Sequence, residues 1–374
     1  MSVNEPSFLP SFDFNEDFWC EIQRETRPIV LYGMGNGADK LIDRLSLLGK
    51  EVSDFFASDG FVRGQLFHGK RVLSLAQVRE KYGDFVILVS FGSHLEEVVN
   101  YIYSLADEYT VYIPDMPLAA DAYFDAPFYR EHYKDIEKAY SLLSDEASRR
   151  VFVQTVWYKL TAKPEFLKRA VCFEDEKALC DFTHIKCAVD VGAYRGDTLK
   201  ELCMLAPQLE EVFAIEPDEK NYKKLVAVAS DMQDITVYPV HAAAWDSDGE
   251  VFFDASGNRN AAIALSGANY ASYEHKTKTI RSAKIDTIIS GRTKIDYIKY
   301  DTEGVEREAL IGSENTIKTF SPTLLISAYH KSEDIFSLLL FLEKKHEGKY
   351  EYYLRRHNCI PAWDLNLIAK ERRK

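Results

Sequence analysis

Long apolar runs are missing from this chain. No stretch of about 18 consecutive apolar residues occurs, which removes the pattern of a membrane-spanning helix. No basic segment followed by an apolar core stands near its start, so no secretory leader is expected. Cysteine is sparse and scattered. Cys20, Cys172, Cys180, Cys187, Cys203 and Cys359 contain no C-x-x-C pair, which removes the usual zinc and dithiol signatures. Excess positive charge is missing too, with 46 Lys and Arg against 59 Asp and Glu and a net charge of -13. A surface of that sign repels nucleic-acid phosphates and anionic membranes. The one basic cluster, Lys370, Arg372, Arg373 and Lys374, reads as a solvated end. These absences lead us to expect a soluble, cytoplasmic protein. Its partner would be a small molecule or a glycan, with no nucleic acid and no stable membrane insertion; a homo-oligomer stays open.

What is present is the material for two cores. Hydrophobic residues make up 46% and aromatic residues 13% of 374 positions, an ordinary globular composition at a length suited to two domains. The first 27 residues, with Pro6, Pro10, Phe8, Phe12, Phe14, Phe18 and Trp19, read as an irregular arm and a short helix. The unbroken apolar runs at 29–32 and 85–90 have the character of buried parallel strands. Helical patterns at 38–48 and 95–106 alternate with them. Residues 1–120 are therefore expected to form a small α/β domain, and residues 121–182, helical and aromatic, a connector. A second alternation over 183–374 places strands at 187–191, 212–215, 236–242, 250–254, 297–300 and 323–329, then a closing antiparallel pair at 350–355 and 365–369. The polar stretch 255–284, rich in Ser, Asn, Gly and Ala, is expected as a mobile cap over an acceptor site.

Four segments carry chemistry. In Val189-Asp190-Val191-Gly192-Ala193-Tyr194-Arg195-Gly196-Asp197 a strand runs into a glycine turn and then a helix, which lets backbone N–H groups meet a ligand. Glu216-Pro217 ends the next strand about 20 residues on, where a nucleoside-binding α/β fold places its ribose acceptor. Tyr297-Ile298-Lys299-Tyr300-Asp301-Thr302-Glu303-Gly304-Val305-Glu306 delivers three carboxylates at a strand end. Asp301 or Glu303 can serve as a base or orient a substrate, clustered carboxylates can hold a cation, and Glu303 and Glu306 also suit a helix start. The fourth segment ends in Tyr329-His330, on the edge that carries Asp301. With an ordinary pKa near 6.5, His330 is the expected base for a hydroxyl at neutral pH. No dedicated metal-ligand spacing is present, and a metal-free mechanism is favoured.

Taken in order, VDVGAYRGDT, AIEPDEKN, IKYDTEGVEREALIG and LLISAYH resemble the FkbM-type methyltransferases over about residues 186–370. The resemblance implies a class I methyltransferase fold, Rossmann-like, with seven strands and a terminal antiparallel hairpin. A smaller Rossmann-like α/β domain would precede it. It implies S-adenosylmethionine (SAM) as cofactor and O-methylation of a sugar, glycan or related metabolite. SAM would be held by Asp190, Gly192, Ala193, Tyr194, Gly196, Glu216, Pro217 and Ala243. Trp245 would either stack on adenine or fill the core. Asp301, Glu303 and His330 would be catalytic.

Two rival readings are weighed. Tyr32-Gly33-Met34-Gly35-Asn36-Gly37 also follows a strand and precedes a helix, which suggests a nucleotide-sugar oxidoreductase. Its spacing departs from G-x-G-x-x-G, so we expect no productive nicotinamide site and at most a nucleotide or sugar-nucleotide site at Gly33, Gly35 and Gly37. The other rival is a SAM-binding module without turnover, which the intact Asp301, Glu303 and His330 disfavour.

Overall fold

A computed structural model describes residue 9 and residues 17–119, 122–254 and 277–372 of the chain. Apart from Leu9, the N-terminal arm before Asp17 lies outside them, as do the last two residues of the basic tail. In chain order the first elements are α1 (Phe18–Arg24), β1 (Ile29–Tyr32), α2 (Asn36–Leu47), β2 (Asp54–Phe56), β3 (Leu66–Phe67), β4 (Lys70–Arg71), α3 (Leu75–Tyr82), β5 (Val86–Val89), α4 (Glu96–Glu108) and β6 (Thr110–Tyr112). β1, β2, β5 and β6 form a four-stranded, all-parallel sheet in the order β2-β1-β5-β6. The apolar runs of β1 and β5 are buried along their whole length, because helices cover both faces of such a sheet. α3 goes beyond the expected elements. It starts at a capping box in which Ser74 accepts from the Gln77 N–H and the Gln77 side chain accepts from the Ser74 N–H.

Four helices follow: α5 (Ala126–Leu142), α6 (Glu146–Thr161), α7 (Pro164–Arg169) and α8 (Glu176–Cys180). Asp125 and Asp145 cap α5 and α6. Left-handed Ala162 closes α6, and Pro164 opens α7, where its missing N–H costs nothing. α6 is buried almost all round. Val151, Phe152, Val156 and Leu160 pack into the core of the C-terminal half, while Tyr158 packs with Phe166 and Leu167 into the core of the first sheet. Tyr158 also donates to the Ile113 carbonyl (2.8 Å), and buried Lys159 pairs with Asp115 (2.5 Å).

The C-terminal half contains β7 (Cys187–Val191), α9 (Asp197–Leu205), β8 (Glu211–Ile215), α10 (Glu219–Ser230), β9 (Thr236–Val240), β10 (Ala243–Ala244), β11 (Gly249–Asp254), β12 (Thr277–Ala283), α11 (Ile285–Ile288), β13 (Tyr297–Tyr300), α12 (Glu306–Ile311), α13 (Glu314–Phe320), β14 (Thr323–Ser327), α14 (Asp334–Lys345), β15 (Tyr350–Arg356) and β16 (Leu365–Glu371). Seven strands make a mixed sheet in the order β15-β16-β14-β13-β7-β8-β9. β14, β13, β7, β8 and β9 run parallel, and β16 pairs antiparallel with both β14 and β15. β11 does not join this sheet. It pairs with β12 in a separate three-stranded sheet, β10-β12-β11. The polar insertion expected over 255–284 is therefore shorter, since 277–283 is a strand. Residues 255–276, and the cap role assigned to them, lie outside the described residues. Among the described residues no helix is long and apolar enough to cross a membrane.

β15 is an edge strand, and the α5–α6 corner covers it. Its Tyr352 and Leu354 N–H groups donate to Ser144 and Ser148 hydroxyls, both at 2.9 Å. Arg355, on the same strand, is fully buried. It donates to both oxygens of Asp175 (2.6 and 2.7 Å) and to Asp145 (2.7 Å), tying the starts of α6 and α8 to the sheet. Both aspartates are partly exposed, so the loss on removing the cation should fall below the range for a fully buried pair. Arg355→Met is expected to lower stability by roughly 2–3 kcal/mol, measured by urea denaturation. A midpoint unchanged from the parent would remove this guanidinium as the tie.

Candidate active site

β7, β8 and β13 end on one side of the seven-stranded sheet, and their ends enclose a cavity of about 320 Å³. The register sets Lys299 beside Asp190 and Tyr300 beside Val191, so the chain after β13 passes directly over the turn after β7. Asp301 N–H donates to the Val191 carbonyl (2.9 Å). Gly192, at φ +90°, lies so close that a Cβ would overlap the Asp301 carbonyl oxygen. Gly192 thus serves the approach of two strand ends. Gly196, at φ +87°, starts α9 and abuts Val228 of α10.

Between these glycines Tyr194 adopts φ +49° and turns its N–H toward Glu216, donating to Oε2 at 2.9 Å. The other carboxylate oxygen of Glu216 accepts from the Asp218 N–H, also at 2.9 Å. Glu216 is buried at the end of β8 and lines the cavity. Burial pushes its pKa up to about 7, against the pull of those two N–H groups. Each oxygen retains a lone pair for a ligand donor.

Of the residues expected to hold SAM, Gly192, Tyr194, Glu216, Pro217 and Ala243 line the cavity. Asp190, Ala193, Gly196 and Trp245 do not. Asp190 is 1% exposed, and neither of its carboxylate oxygens has a hydrogen-bond partner. Burial raises its pKa to about 6, partly offset by Lys299. Ala193 packs with Leu199 and Leu225 in the core. Trp245, half-buried, packs with Ala243, Val305, Val251 and Ile280 and does not itself line the cavity. Ala244, Asp197, Thr198, Asn221 and Tyr329 line the cavity without having been singled out. Asp197 and Thr198 begin the helix after the glycine turn, a position that marks them in the sequence. Asn221 and Tyr329 enter only through the packing of separate elements.

The carboxylate segment meets His330 at the same edge, because β13 and β14 are parallel neighbours. Glu303 and Gly304 both adopt left-handed backbone, at φ +57° and +102°. A non-glycine residue there is uncommon and costs energy. That turn carries Glu303 back toward His330, 3.5 Å from Nε2. Asp301 stands 3.8 Å from the same nitrogen and accepts from Lys299 Nζ (3.0 Å) and Ser327 Oγ (2.9 Å). On the other ring face Nδ1 meets Glu306 at 2.9 Å. Glu306, expected either as one of the clustered carboxylates or as a helix-start charge, is 1% exposed and also accepts from the Thr302 N–H and hydroxyl. Among the described residues no group of three or more His, Cys, Asp and Glu is arranged to hold a metal ion.

These contacts correct the expectation for His330. The ring is 1% exposed and does not line the cavity. Burial alone would strip its proton, but Glu306 in contact, then Asp301 and Glu303, outweigh that and push its pKa up to about 10. A histidine so placed is a cation at neutral pH and a poor proton acceptor. For Asp301, burial would raise the pKa, but Lys299 and His330 hold it below the ordinary aspartate value. Glu303 lines the cavity with 38% of its side chain exposed. Burial is the largest influence on it and pushes its pKa up to about 7, with His330 opposing. Glu303, like Glu216, is thus a cavity carboxylate poised to take a proton near neutrality, and it is the one that stands beside His330 and Asp301. The folded value of His330 exceeds the ~6.5 of an unfolded histidine. Its pairing therefore stabilises the fold fully below that pH, and the contribution is lost as pH rises through about 10. Nitrogen-15 spectra of the histidine rings should show His330 doubly protonated at pH 8, and Glu306→Gln should bring its titration toward neutrality. A neutral ring at pH 8 in the parent would reject the buried cation.

Residues 190–352 match the family model of the methyltransferase FkbM domain. Among solved structures, methyltransferase FkbM from Methylobacillus flagellatus KT is 20% identical, with 98% of this chain and 95% of that one covered at a TM-score of 0.67. At that identity the likeness is one of fold. Precorrin-6y C5,15-methyltransferase from Geobacter metallireducens GS-15 is 11% identical over 56% of this chain and 89% of that one, at a TM-score of 0.33. Aeropyrum pernix fibrillarin, solved with natively bound S-adenosyl-L-methionine, is 9% identical over 52% of this chain and 74% of that one, at 0.32. No curated protein matches the chain. The family match takes in the β7 turn, Glu216, the 301–306 turn and His330, so it is over residues 190–352 that the chain is similar to the methyltransferase FkbM domain.

Proposed function

We propose that the chain transfers a methyl group from SAM to a hydroxyl oxygen of a sugar, glycan or related metabolite. The observation that carries this reading is one continuous cavity with Glu216 at one end of its lining and Glu303 at the other strand edge. The residues present fit SAM. Glu216 is a buried carboxylate whose two oxygens are held by backbone N–H groups and still accept, as a ribose diol requires. Asp197 and Thr198, at the start of the nine-residue α9, suit the charged amino-acid end of such a ligand. Ala243 and Ala244 offer a small apolar wall for a base. When bound, SAM supplies an electrophilic sulfonium methyl.

The chain's own residues do the rest. Cavity walls exclude water and position the acceptor hydroxyl, which is where most of the rate gain in such a reaction arises. Glu303 accepts the hydroxyl proton as the new carbon–oxygen bond forms. The left-handed turn at 303–304 aims its carboxylate, and the His330 cation behind it keeps it from rising too far above neutrality. Asp301, kept ionised by Lys299 and fixed by Ser327, orients the acceptor. The acidic surface disfavours nucleic acid as acceptor.

Glu303→Gln is expected to lower turnover by about 10²–10⁴-fold, measured as S-adenosylhomocysteine release with a hydroxylated acceptor. The parent rate should rise with pH through about 7, and the variant should lose that limb. Full activity in the variant would exclude Glu303 as the base. In calorimetry, Glu216→Ala should weaken SAM binding by about 1.5–3 kcal/mol; undiminished affinity would sink the ribose assignment.

A further inference from the structure

A second cavity, at the C-terminal edge of the first sheet, is larger than the one above, about 560 Å³ against about 320 Å³. It opens beside β1 and β5, which are neighbours, while β2 lies outward of β1 and β6 outward of β5. In an open parallel sheet a crevice forms where the strand order reverses in this way, and its size is that of a small-molecule site.

Its lining has a definite chemistry. The chain carries 59 acidic residues against 46 basic ones, yet no carboxylate lines this cavity among the described residues. The charges at its wall are Lys40, whose Nζ also donates to the Pro117 carbonyl (3.0 Å), and the positive end of the twelve-residue α2, whose first turn carries Asp39 outside the lining. Tyr32, Phe61, Phe91 and Trp363 supply aromatic surface, and Phe61 is 65% exposed at the rim. Trp363 comes from the loop between β15 and β16. Paired hydrogen bonds between Ser93 and Ile360 (2.8 and 2.9 Å) clasp that loop, so the wall needs both halves of the chain. The glycines of the turn differ in what they serve. A Cβ on Gly37 would overlap the Ser90 carbonyl oxygen, and one on Gly33 would stand 2.7 Å from the Phe91 ring, so both are required by packing. Gly35 lines the cavity with extended backbone and no atom within 4 Å of a would-be Cβ, so no neighbour requires it.

We propose that this cavity binds a nucleoside phosphate, with the phosphate at the first turn of α2 and the base against the aromatic wall. The charge at the wall selects an anion, and the aromatic surface and volume select one that carries a flat ring. Inorganic phosphate would leave that surface uncovered. An acyl chain would leave the N–H groups of the first helical turn without an acceptor.

The test is calorimetry on the full chain, with S-adenosylhomocysteine saturating so that the other cavity is blocked. The probes are UDP, ADP, inorganic phosphate and octanoate. At least one nucleotide should bind about tenfold or more tightly than inorganic phosphate. Gly35→Val, which the extended backbone and open space accommodate, should weaken nucleotide binding at least tenfold while S-adenosylhomocysteine affinity stays within twofold of the parent. Nucleotide binding should persist in Glu216→Ala, which separates this site from the SAM assignment. The proposal is overturned if neither nucleotide binds at millimolar concentration, if phosphate or octanoate binds as tightly as the nucleotides, or if Gly35→Val binds them as the parent does.

Discussion

A single buried ion pair organises the candidate active site. An imidazolium removed from water is costly unless a carboxylate meets it closely, and Glu306 does so at 2.9 Å while almost fully buried itself. That pair joins the chain after β14 to the turn after β13. The same residue ties in a third segment, since the Ala119 N–H donates to the His330 carbonyl (3.1 Å). Ala119 also sits where a Cβ on Gly304 would be, which leaves the left-handed turn at 303–304 no room for a larger residue. The direction in which Glu303 points and the proton affinity it acquires both follow from this arrangement.

The platform beneath is rigid for a different reason. The helices of the middle segment act as structural members of both halves. α6 buries apolar residues in both cores, and its buried Lys159 answers Asp115 just beyond β6. On the other side, Arg355 and the two serine hydroxyls close the edge of the seven-stranded sheet, whose unpaired N–H groups would otherwise face water or another chain. With Trp363 and Pro361 lining the cavity of the first sheet, the wall chemistry of one half depends on the other.

Much of this was legible in the residues themselves. Apolar runs with strand length and a following glycine marked β1, β5 and β7, and the 3.6-residue pattern marked α9 at its observed limits. α3, which opens on the Ser74–Gln77 capping box, was not among the expected elements. β12 was not legible either, because Thr277–Ala283 is polar and alternating, and it gains strand character by pairing with β10 and β11.

The sequence by itself determined the mixed α/β alternation, the glycine turn after β7 and the acid at the end of β8, because each rests on local backbone preferences and on spacing along the chain. Tertiary structure alone decided where each of these side chains stands. Asp190 and Trp245 fell away from the cavity lining, and Gly192, which does line it, also makes room for the Asp301 carbonyl. The proton moved from His330 to Glu303 as the expected acceptor, because a side chain's charge depends on which distant groups are buried against it, and no spacing in the sequence records that.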